Sequence, residues 1–94
     1  MIVERQEFRV KPGRVDEAVE VMQEMWKLVD PIPHRIYRPI TGLHDTFYQE
    51  SEFEDLQQRE KWWAGMGTKI APLWDKWVAL LDTGGSSELL RVVE

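Results

Sequence analysis

His34 and His44 are the only histidines of this 94-residue chain, and they are its best candidates for proton transfer. His44 is the stronger candidate, because the carboxylate of the adjacent Asp45 could orient its ring as a base. A zinc or iron site would need further ligands at a helical or hairpin spacing, and the chain contains no cysteine. We therefore expect no metal and no cofactor, and His44 is the candidate catalytic base. A solvated loop or strand histidine is the simpler interpretation of each.

Aromatic side chains are the candidates for ligand contact. Tyr37 and Tyr48 alternate into the faces of predicted strands, where they could line a cavity or a dimer interface. Trp63 and Trp74 lie with Trp77 at helical spacing. Packing in a core explains that spacing at least as well as the wall of a ligand site does. We take Tyr37, Tyr48, Trp63 and Trp74 as ligand-binding candidates.

Composition restricts the protein to a small globular class. With 43% hydrophobic and 31% charged residues, the chain suits one domain that spans residues 1–94. Its net charge of −5 argues against nucleic acid, because binding to phosphates needs clustered Lys and Arg. The first strand carries Glu4 and Arg5 and has no long apolar run, which argues against a signal peptide or a membrane anchor. We therefore expect a cytoplasmic protein with no membrane partner.

The first third of the chain is predicted to form a strand and a helix. Residues 2–10 alternate, and one face of the strand carries Ile2, Glu4, Gln6, Phe8 and Val10. After the turn at Pro12-Gly13 a helix begins near Arg14. Its apolar stripe consists of Val15, Val19, Met22, Trp26 and Val29. Two prolines, at 31 and 33, end this helix.

A hairpin is predicted next. Residues 34–40 form its first strand, and Thr41-Gly42 allows only a tight reversal into an antiparallel strand over residues 43–50. Ser51-Glu52-Phe53-Glu54 then matches a capping box, in which the Ser and Glu side chains satisfy each other's free backbone N–H groups. The second helix is predicted to start at that box.

The remainder of the chain is predicted to hold an interrupted helix and a last strand. Gly65, Gly67 and Pro72 interrupt the apolar stripe of the second helix, which predicts two helical pieces with a joint near Gly67. Glycines at 84 and 85 follow the helix, and residues 87–93 form the last strand.

The resulting order, β-α-β-β-α-β, predicts an α+β, ferredoxin-like fold. It consists of a four-stranded antiparallel sheet with both helices on one face. The strands carry apolar or aromatic residues on both faces, for example Phe8 against Val3 and Phe47 against Tyr48. We therefore expect a second copy to cover the face that the helices leave open. The prediction is a homodimer that closes sheet against sheet into an α/β barrel.

Three segments carry a resemblance to a known superfamily. The opening ERQEFRVKPGRVDEAVEVM resembles the strand and lysine-proline-glycine turn of the NIPSNAP-like and antibiotic-biosynthesis-monooxygenase-like families of dimeric α/β barrels. TFYQESEFEDL is similar to their third strand and acidic helix start, and TKIAPLWDKWVALLD is similar to the NIPSNAP helix. These motifs mark a fold rather than a chemistry, since the superfamily holds oxygenases, isomerases, haem-degrading enzymes and members with no assigned activity.

The resemblance implies a small-ligand cavity within each subunit, between the helices and the sheet. Gln6 would line it, at the position where haem-degrading relatives carry an active-site Asn. The Trp and His of those relatives fall at Arg59 and Lys69 here, so the resemblance implies the pocket without the haem chemistry. Gln6 would then donate a hydrogen bond to a substrate oxygen, with His44 as the base. The walls would be formed by Tyr48, Trp63 and Trp74.

We therefore predict a small-molecule-binding homodimer with an apolar or aromatic ligand. As an enzyme it would be a cofactor-independent oxygenase or isomerase acting on an aromatic or polyketide-like substrate. The alternative is a non-catalytic dimeric structural or interaction module whose cavity is closed by its tryptophans, and a haem-binding protein is a third candidate. A cavity of roughly 300 Å³ or more that is reached from solvent would favour the enzyme.

Overall fold

Two helices lie on one face of a four-stranded antiparallel sheet in the computed structural model, which describes residues 1–94. The strands are β1 (Ile2–Arg9), β2 (His34–Tyr37), β3 (Thr46–Phe53) and β4 (Ser86–Arg91), and the helices are α1 (Val15–Trp26) and α2 (Leu56–Leu80). The sheet order is β2-β3-β1-β4, so β1 and β3 are its central strands. The predicted ferredoxin-like arrangement is confirmed. Neither helix is apolar enough over a sufficient length to cross a bilayer.

The pairing of β1 with β3 sorts their side chains into two faces. Gln6 pairs with Gln49 and Phe8 pairs with Phe47, and all four side chains face the helices. The predicted alternation of the first strand is therefore confirmed. The core between sheet and helices is built from Val10, Ala18, Val21, Met22, Met25, Phe47, Ile70, Trp77 and Leu80.

The opposite face of the sheet mixes charged and apolar side chains. Arg5 stands opposite Glu50 in the β1–β3 ladder, and every residue of β4 is exposed. The larger apolar and aromatic residues on this face are Val3, Tyr37, Tyr48 and Leu90. The single chain thus leaves this face uncovered, with both signs of charge on it.

The connection between β2 and β3 is longer than predicted. β2 ends at Tyr37 and β3 begins at Thr46, so the tight reversal at Thr41-Gly42 is wrong and residues 38–45 form a loop. Pro39 explains the early end of β2, since a proline has no N–H to donate to the ladder. The two strands are therefore joined by a wide loop and not by a two-residue turn.

The predicted capping box at Ser51 lies inside β3, and this prediction is wrong. Ser51 is only 3% exposed, within a strand whose alternation continues to Phe53. Phe53 is also buried, so extending the strand to Phe53 buries more apolar surface than starting a helix at Ser51 would. The helix α2 begins at Leu56 instead. Its N-terminal cap is Asp55, whose carboxylate accepts the backbone N–H of Gln58 at 2.8 Å.

The second helix is continuous over 25 residues, so the joint predicted near Gly67 is wrong. A glycine inside a helix costs only about 1 kcal/mol relative to alanine. Packing outweighs that cost, because Trp63 before Gly67 and Trp77 after it both contact side chains of β1. Pro72 is exposed, so the Thr68 carbonyl that loses its helical partner can meet water.

The first helix buries a face slightly different from the predicted stripe. Its fully buried residues are Ala18, Val21, Met22 and Met25. Of the predicted stripe only Met22 is among them, while Val15, Val19, Trp26 and Val29 are partly buried against the core. The small Ala18 side chain, which an apolar stripe of large residues overlooks, is completely buried. The predicted stripe therefore borders the buried face, and Trp26 lies at its edge.

The Asp55 cap leads to a first prediction. Asp55→Ala is expected to lower the free energy of unfolding by about 1 kcal/mol, because the Gln58 N–H loses its acceptor. Asp55→Asn should retain most of the stability. Glu54→Ala is the matched control, since only the backbone N–H of Glu54 is used, in a hydrogen bond to the Gln58 side chain. Urea denaturation measures all three, and an equal loss in the control would contradict this cap.

Candidate functional site

A cavity of about 170 Å³ lies between α1, α2 and the helix-facing side of β1 and β3. The chain contains five tryptophans, and all of them line this cavity: Trp26, Trp62, Trp63, Trp74 and Trp77. Methionine, phenylalanine, valine and isoleucine side chains complete the wall, and the amides of Gln6 and Gln49 are the only other polar side chains. No lining side chain titrates near neutral pH.

The two amides and one tryptophan form a hydrogen-bonded relay. The Trp26 indole Nε1 donates to Oε1 of Gln49 at 2.7 Å, and Gln49 Nε2 donates to Oε1 of Gln6 at 2.9 Å. Gln49 is 6% exposed, so its amide needs these partners inside the protein. The relay ties α1 to both central strands along one side of the cavity.

A buried carboxylate ties the other helix to the sheet. Glu4 faces the helices from β1 and is 2% exposed. Its Oε2 accepts a hydrogen bond from Arg59 Nη2 at 2.7 Å, and its Oε1 accepts one from Trp63 Nε1 at 2.8 Å. The Arg59 guanidinium lies 5.5 Å from the centre of the Trp63 ring, and its buried Nε has no hydrogen-bond partner. Glu4 therefore fixes the position of Trp63 in the cavity wall.

Stacked rings form the wall beneath α1. The His34 and Trp26 rings are parallel, with centroids 3.7 Å apart, and Trp26 also stacks on Trp62 at 5.4 Å. The Trp62 indole donates to the backbone carbonyl of Asp30 at 2.9 Å and packs against Phe53. This segment of the wall is held by contacts to three different parts of the chain.

Trp77 and Trp74 lie one turn apart on α2 and differ in exposure. Trp77 is 4% exposed and meets Phe8 edge to face at a centroid distance of 5.2 Å, with Phe47 at 6.0 Å. Trp74 is 48% exposed, so it lies where the cavity reaches solvent. The wall is therefore closed to solvent at Trp77 and open to it at Trp74.

Three of the sequence-predicted site residues meet at this cavity. Gln6, Trp63 and Trp74 all line it. Gln6 also has the hydrogen-bond partner that a polar amide facing a core requires. Trp26 and Trp63 both face the sheet, since their indole nitrogens donate hydrogen bonds to Gln49 and Glu4.

Tyr37 and Tyr48 lie on the opposite, helix-free face of the sheet. They pair across β2 and β3, and the Arg5 guanidinium lies 5.9 Å from the centre of the Tyr48 ring. Hydrogen bonding to the Glu50 carboxylate, with desolvation as a smaller cause, raises the pKa of the Tyr37 hydroxyl above its ordinary value. Tyr37 therefore stays protonated at neutral pH. Both tyrosines lie on the sheet face that the sequence analysis expects a second copy to cover.

His44 lies in the exposed loop between β2 and β3, outside the cavity lining. Its imidazole makes no hydrogen bond within the chain, and its backbone carbonyl accepts the Thr46 hydroxyl at 3.0 Å. The Asp45 carboxylate that was expected to orient the ring instead accepts the backbone N–H of Gly13 at 3.0 Å. Asp45 takes a positive φ of 53°, which turns the chain back into β3. The catalytic role of His44 stays a prediction.

The residues present do not fit a haem. No histidine lines the cavity, and no group of three or more metal-ligating side chains occurs in the structure. Arg59, at the position that the resemblance matches to a Trp, is paired with Glu4, and Lys69, at the position matched to a His, is paired with Asp30 at 2.9 Å. Neither side chain is available as an axial ligand.

Sequence reasoning missed three members of this site: Glu4, Gln49 and Trp62. Glu4 carried a usable signal, because a carboxylate on the apolar face of a central strand must find a partner. Arg59 and Trp63 are four residues apart on one helix and therefore point the same way, which is the matching signal. Gln49 was placed near the end of a strand predicted over residues 43–50, and Trp62 lies one position off the helical stripe. Neither of those two carried a signal of its own.

The sequence matches no protein-family model and no curated protein. The structure, however, is similar to many solved ones. An uncharacterized NIPSNAP domain protein from Burkholderia xenovorans superposes with a TM-score of 0.83 at 15% identity, over 99% of this chain and 95% of that one. An antibiotic biosynthesis monooxygenase superposes with a TM-score of 0.72 at 17% identity over the whole of both chains.

A third structural neighbour contains a bound ligand. It is a mutant of MhuD with two manganese protoporphyrin IX molecules per active site, at a TM-score of 0.77 and 18% identity, over 100% of this chain and 96% of that one. The structural neighbours thus belong to the families that the sequence resembles, which confirms the resemblance. At these identities the likeness establishes the fold.

The buried Glu4 leads to a second prediction. Arg59→Met is expected to lower the free energy of unfolding by about 3–5 kcal/mol, because it leaves a buried carboxylate without its counter-charge. Lys69→Met is the matched control on the same helix. It removes a more exposed ion pair with Asp30 and should cost less than about 1 kcal/mol. Urea denaturation compares the two.

A double variant isolates the pair itself. Glu4→Leu combined with Arg59→Met should recover part of the stability lost in Arg59→Met, since no unpaired charge then remains, although the Trp63 N–H loses its acceptor. A loss in Arg59→Met no larger than in Lys69→Met would contradict a stabilising role for this pair.

Proposed function

We propose that the protein binds a small, flat, apolar ligand between its helices and its sheet. The observation that carries this proposal is the placement of all five tryptophans around one cavity whose lining has no charged side chain. An apolar and aromatic wall with a few placed polar groups is the usual composition of a small-molecule site. The Gln6 and Gln49 amides supply those polar groups.

The size of the cavity limits the ligand. About 170 Å³ is less than the roughly 300 Å³ at which ligand pockets usually begin. It is close to the roughly 150 Å³ of an apolar cavity that accommodates benzene. The cavity therefore suits one ring or two fused rings. The remainder of a larger molecule would extend into solvent beside Trp74.

Two functions remain, and they differ in whether the bound molecule reacts. The enzymatic form is a cofactor-independent oxygenase or isomerase, which the monooxygenase among the structural neighbours supports by analogy of fold. The other form is a binding module without catalysis. The small volume and the lack of any titratable lining side chain favour binding without catalysis, because general acid–base chemistry needs a proton-transfer group within reach of the ligand.

We also propose that two copies associate through the helix-free sheet face. That face carries Val3, Tyr37, Tyr48 and Leu90 among arginines and glutamates, so apolar contact and pairing of opposite charges are both available to a second copy. A stable interface of this kind would bury roughly 1,200 Å² or more in total.

Ligand binding is the third prediction. Indane, a purely apolar bicyclic molecule, is expected to give a saturable change in intrinsic tryptophan fluorescence, because every tryptophan of the chain lines the cavity. A dissociation constant on the order of 0.1–1 mM is expected for so small a ligand. Since no lining side chain titrates near neutral pH, the dissociation constant should be the same at about pH 6 and about pH 8.

Matched variants locate the binding. Val29→Phe, which enlarges a lining side chain, should weaken indane binding about tenfold or more. Val78→Phe makes the same change on the exposed side of α2, outside the lining, and should leave binding unchanged. Absence of saturable binding in the unmodified protein, or equal effects of the two variants, would contradict the proposed site.

The oligomeric state is the fourth prediction. Light scattering is expected to give twice the chain mass of 11.1 kDa. Val3→Glu, on the proposed interface, should shift the mass toward the monomer by placing an unpaired charge there. Leu56→Glu, at an exposed position that starts α2, is the control and should remain dimeric. A monomer mass for the unmodified protein would contradict the proposal.

A further inference from the structure

The relay of Trp26, Gln49 and Gln6 has only one possible direction. An indole nitrogen donates a hydrogen bond and cannot accept one. Trp26 Nε1 therefore requires the oxygen of Gln49, at 2.7 Å, which turns the Gln49 nitrogen toward Gln6. That nitrogen in turn requires the Gln6 oxygen, at 2.9 Å. The orientation of both amides follows from the chemistry of one tryptophan.

The last member of the relay is left with a free donor. Gln6 Nε2 makes no hydrogen bond to the protein, and the half-buried Gln6 side chain lines the cavity. Both amide oxygens of the lining already accept a hydrogen bond. The indole N–H groups of Trp62 and Trp63 are taken by Asp30 and Glu4, which removes them from contact with a ligand, whereas those of Trp74 and Trp77 make no hydrogen bond within the chain and add donors, not acceptors, to the lining.

We infer that this relay makes the site selective for flat apolar ligands that carry a carbonyl oxygen, which accepts the Gln6 N–H. The inference rests on the proposed function of the cavity and specifies the chemical class of its ligand. A ligand that offers only a donor meets amide oxygens that each already accept one hydrogen bond, so only a second lone pair is left to it. In an apolar cavity a poorly matched donor loses its hydrogen bonds to water without full replacement, which is the basis of discrimination.

The relay also predicts how the selectivity can be reversed. In Gln49→Glu both side-chain oxygens accept hydrogen bonds, one from Trp26 Nε1 and the other from Gln6 Nε2. The Gln6 amide then turns over and presents its oxygen to the cavity. A substitution at a residue behind the ligand-contacting amide should therefore change the preference from acceptor to donor ligands.

Three bicyclic molecules of similar shape test the inference by calorimetric titration. They are 1-indanone, which has a carbonyl acceptor, indane, which has no polar group, and indole, which has an N–H donor. In the unmodified protein 1-indanone is expected to bind about tenfold more tightly than indane, and indole no more tightly than indane. Gln6→Leu should reduce the advantage of 1-indanone while retaining indane binding, and it leaves at most the contribution of the Gln49 N–H that loses its acceptor. Gln49→Glu should transfer the advantage to indole.

Trp62→Phe is the control for a change in the aromatic wall. Trp62 lines the cavity as Trp26 does, but its indole donates to Asp30 and lies outside the relay, so the preference for 1-indanone should persist. Trp26→Phe removes the donor that fixes the amide directions and should reduce the preference. A thermal unfolding transition confirms that each variant is folded. If Gln49→Glu shows no such transition, the result for Gln6→Leu alone tests the inference.

The outcomes separate this inference from the proposed function. If none of the three molecules binds, the proposed function fails and the inference fails with it. If all three bind with equal affinity, the cavity binds apolar ligands and the relay does not select among them. An advantage of 1-indanone that is undiminished in Gln6→Leu would likewise overturn the inference.

Discussion

The buried Glu4 carboxylate is the constraint on which the geometry of the cavity depends. A charge that is 2% exposed must be paired and hydrogen-bonded, and both oxygens of Glu4 are engaged by side chains of one helix. Arg59 and Trp63 lie one turn apart on α2, so together they fix the rotation of that helix over β1. This rotation is what turns Trp63 and the following turns of α2 toward the sheet and opens the cavity beside them.

The second connection between helices and sheet is the uncharged hydrogen-bonded relay, in which each donor and acceptor is fixed. Trp26 donates to Gln49, and Gln49 donates to Gln6, across α1, β3 and β1. The two connections have different consequences. The ion pair holds the frame of the cavity, whereas the relay determines which kind of hydrogen-bonding group faces a ligand. A cavity wall built from the five tryptophans supplies area without charge, so the amide is the main source of orientation for a bound molecule.

Much of the fold could be predicted from the sequence, and the errors have identifiable causes. The alternation of β1 and the order of the elements were correct, because long periodic segments specify their own type of structure. The start of α2 was misplaced because Ser51 fits a cap as well as it fits a strand, and only the pairing of β3 with β1 decides between them. Gly67 and Pro72 suggested a break in α2, but the packing of Trp63 and Trp77 on the sheet keeps the helix continuous.

The site divides in the same way. By itself, the sequence determined that Gln6 shares a strand face with Phe8 and that tryptophans recur at helical spacing in the second half of the chain, since both follow from fixed backbone periods. Only the tertiary structure decided that Gln49 and Trp26 give the Gln6 amide its direction, and that His44 and the two tyrosines lie away from the cavity. Those facts depend on the register between strands and on the rotation of helices. Register and rotation are set by contacts between residues distant in the chain, such as Glu4 with Arg59, which no local pattern contains.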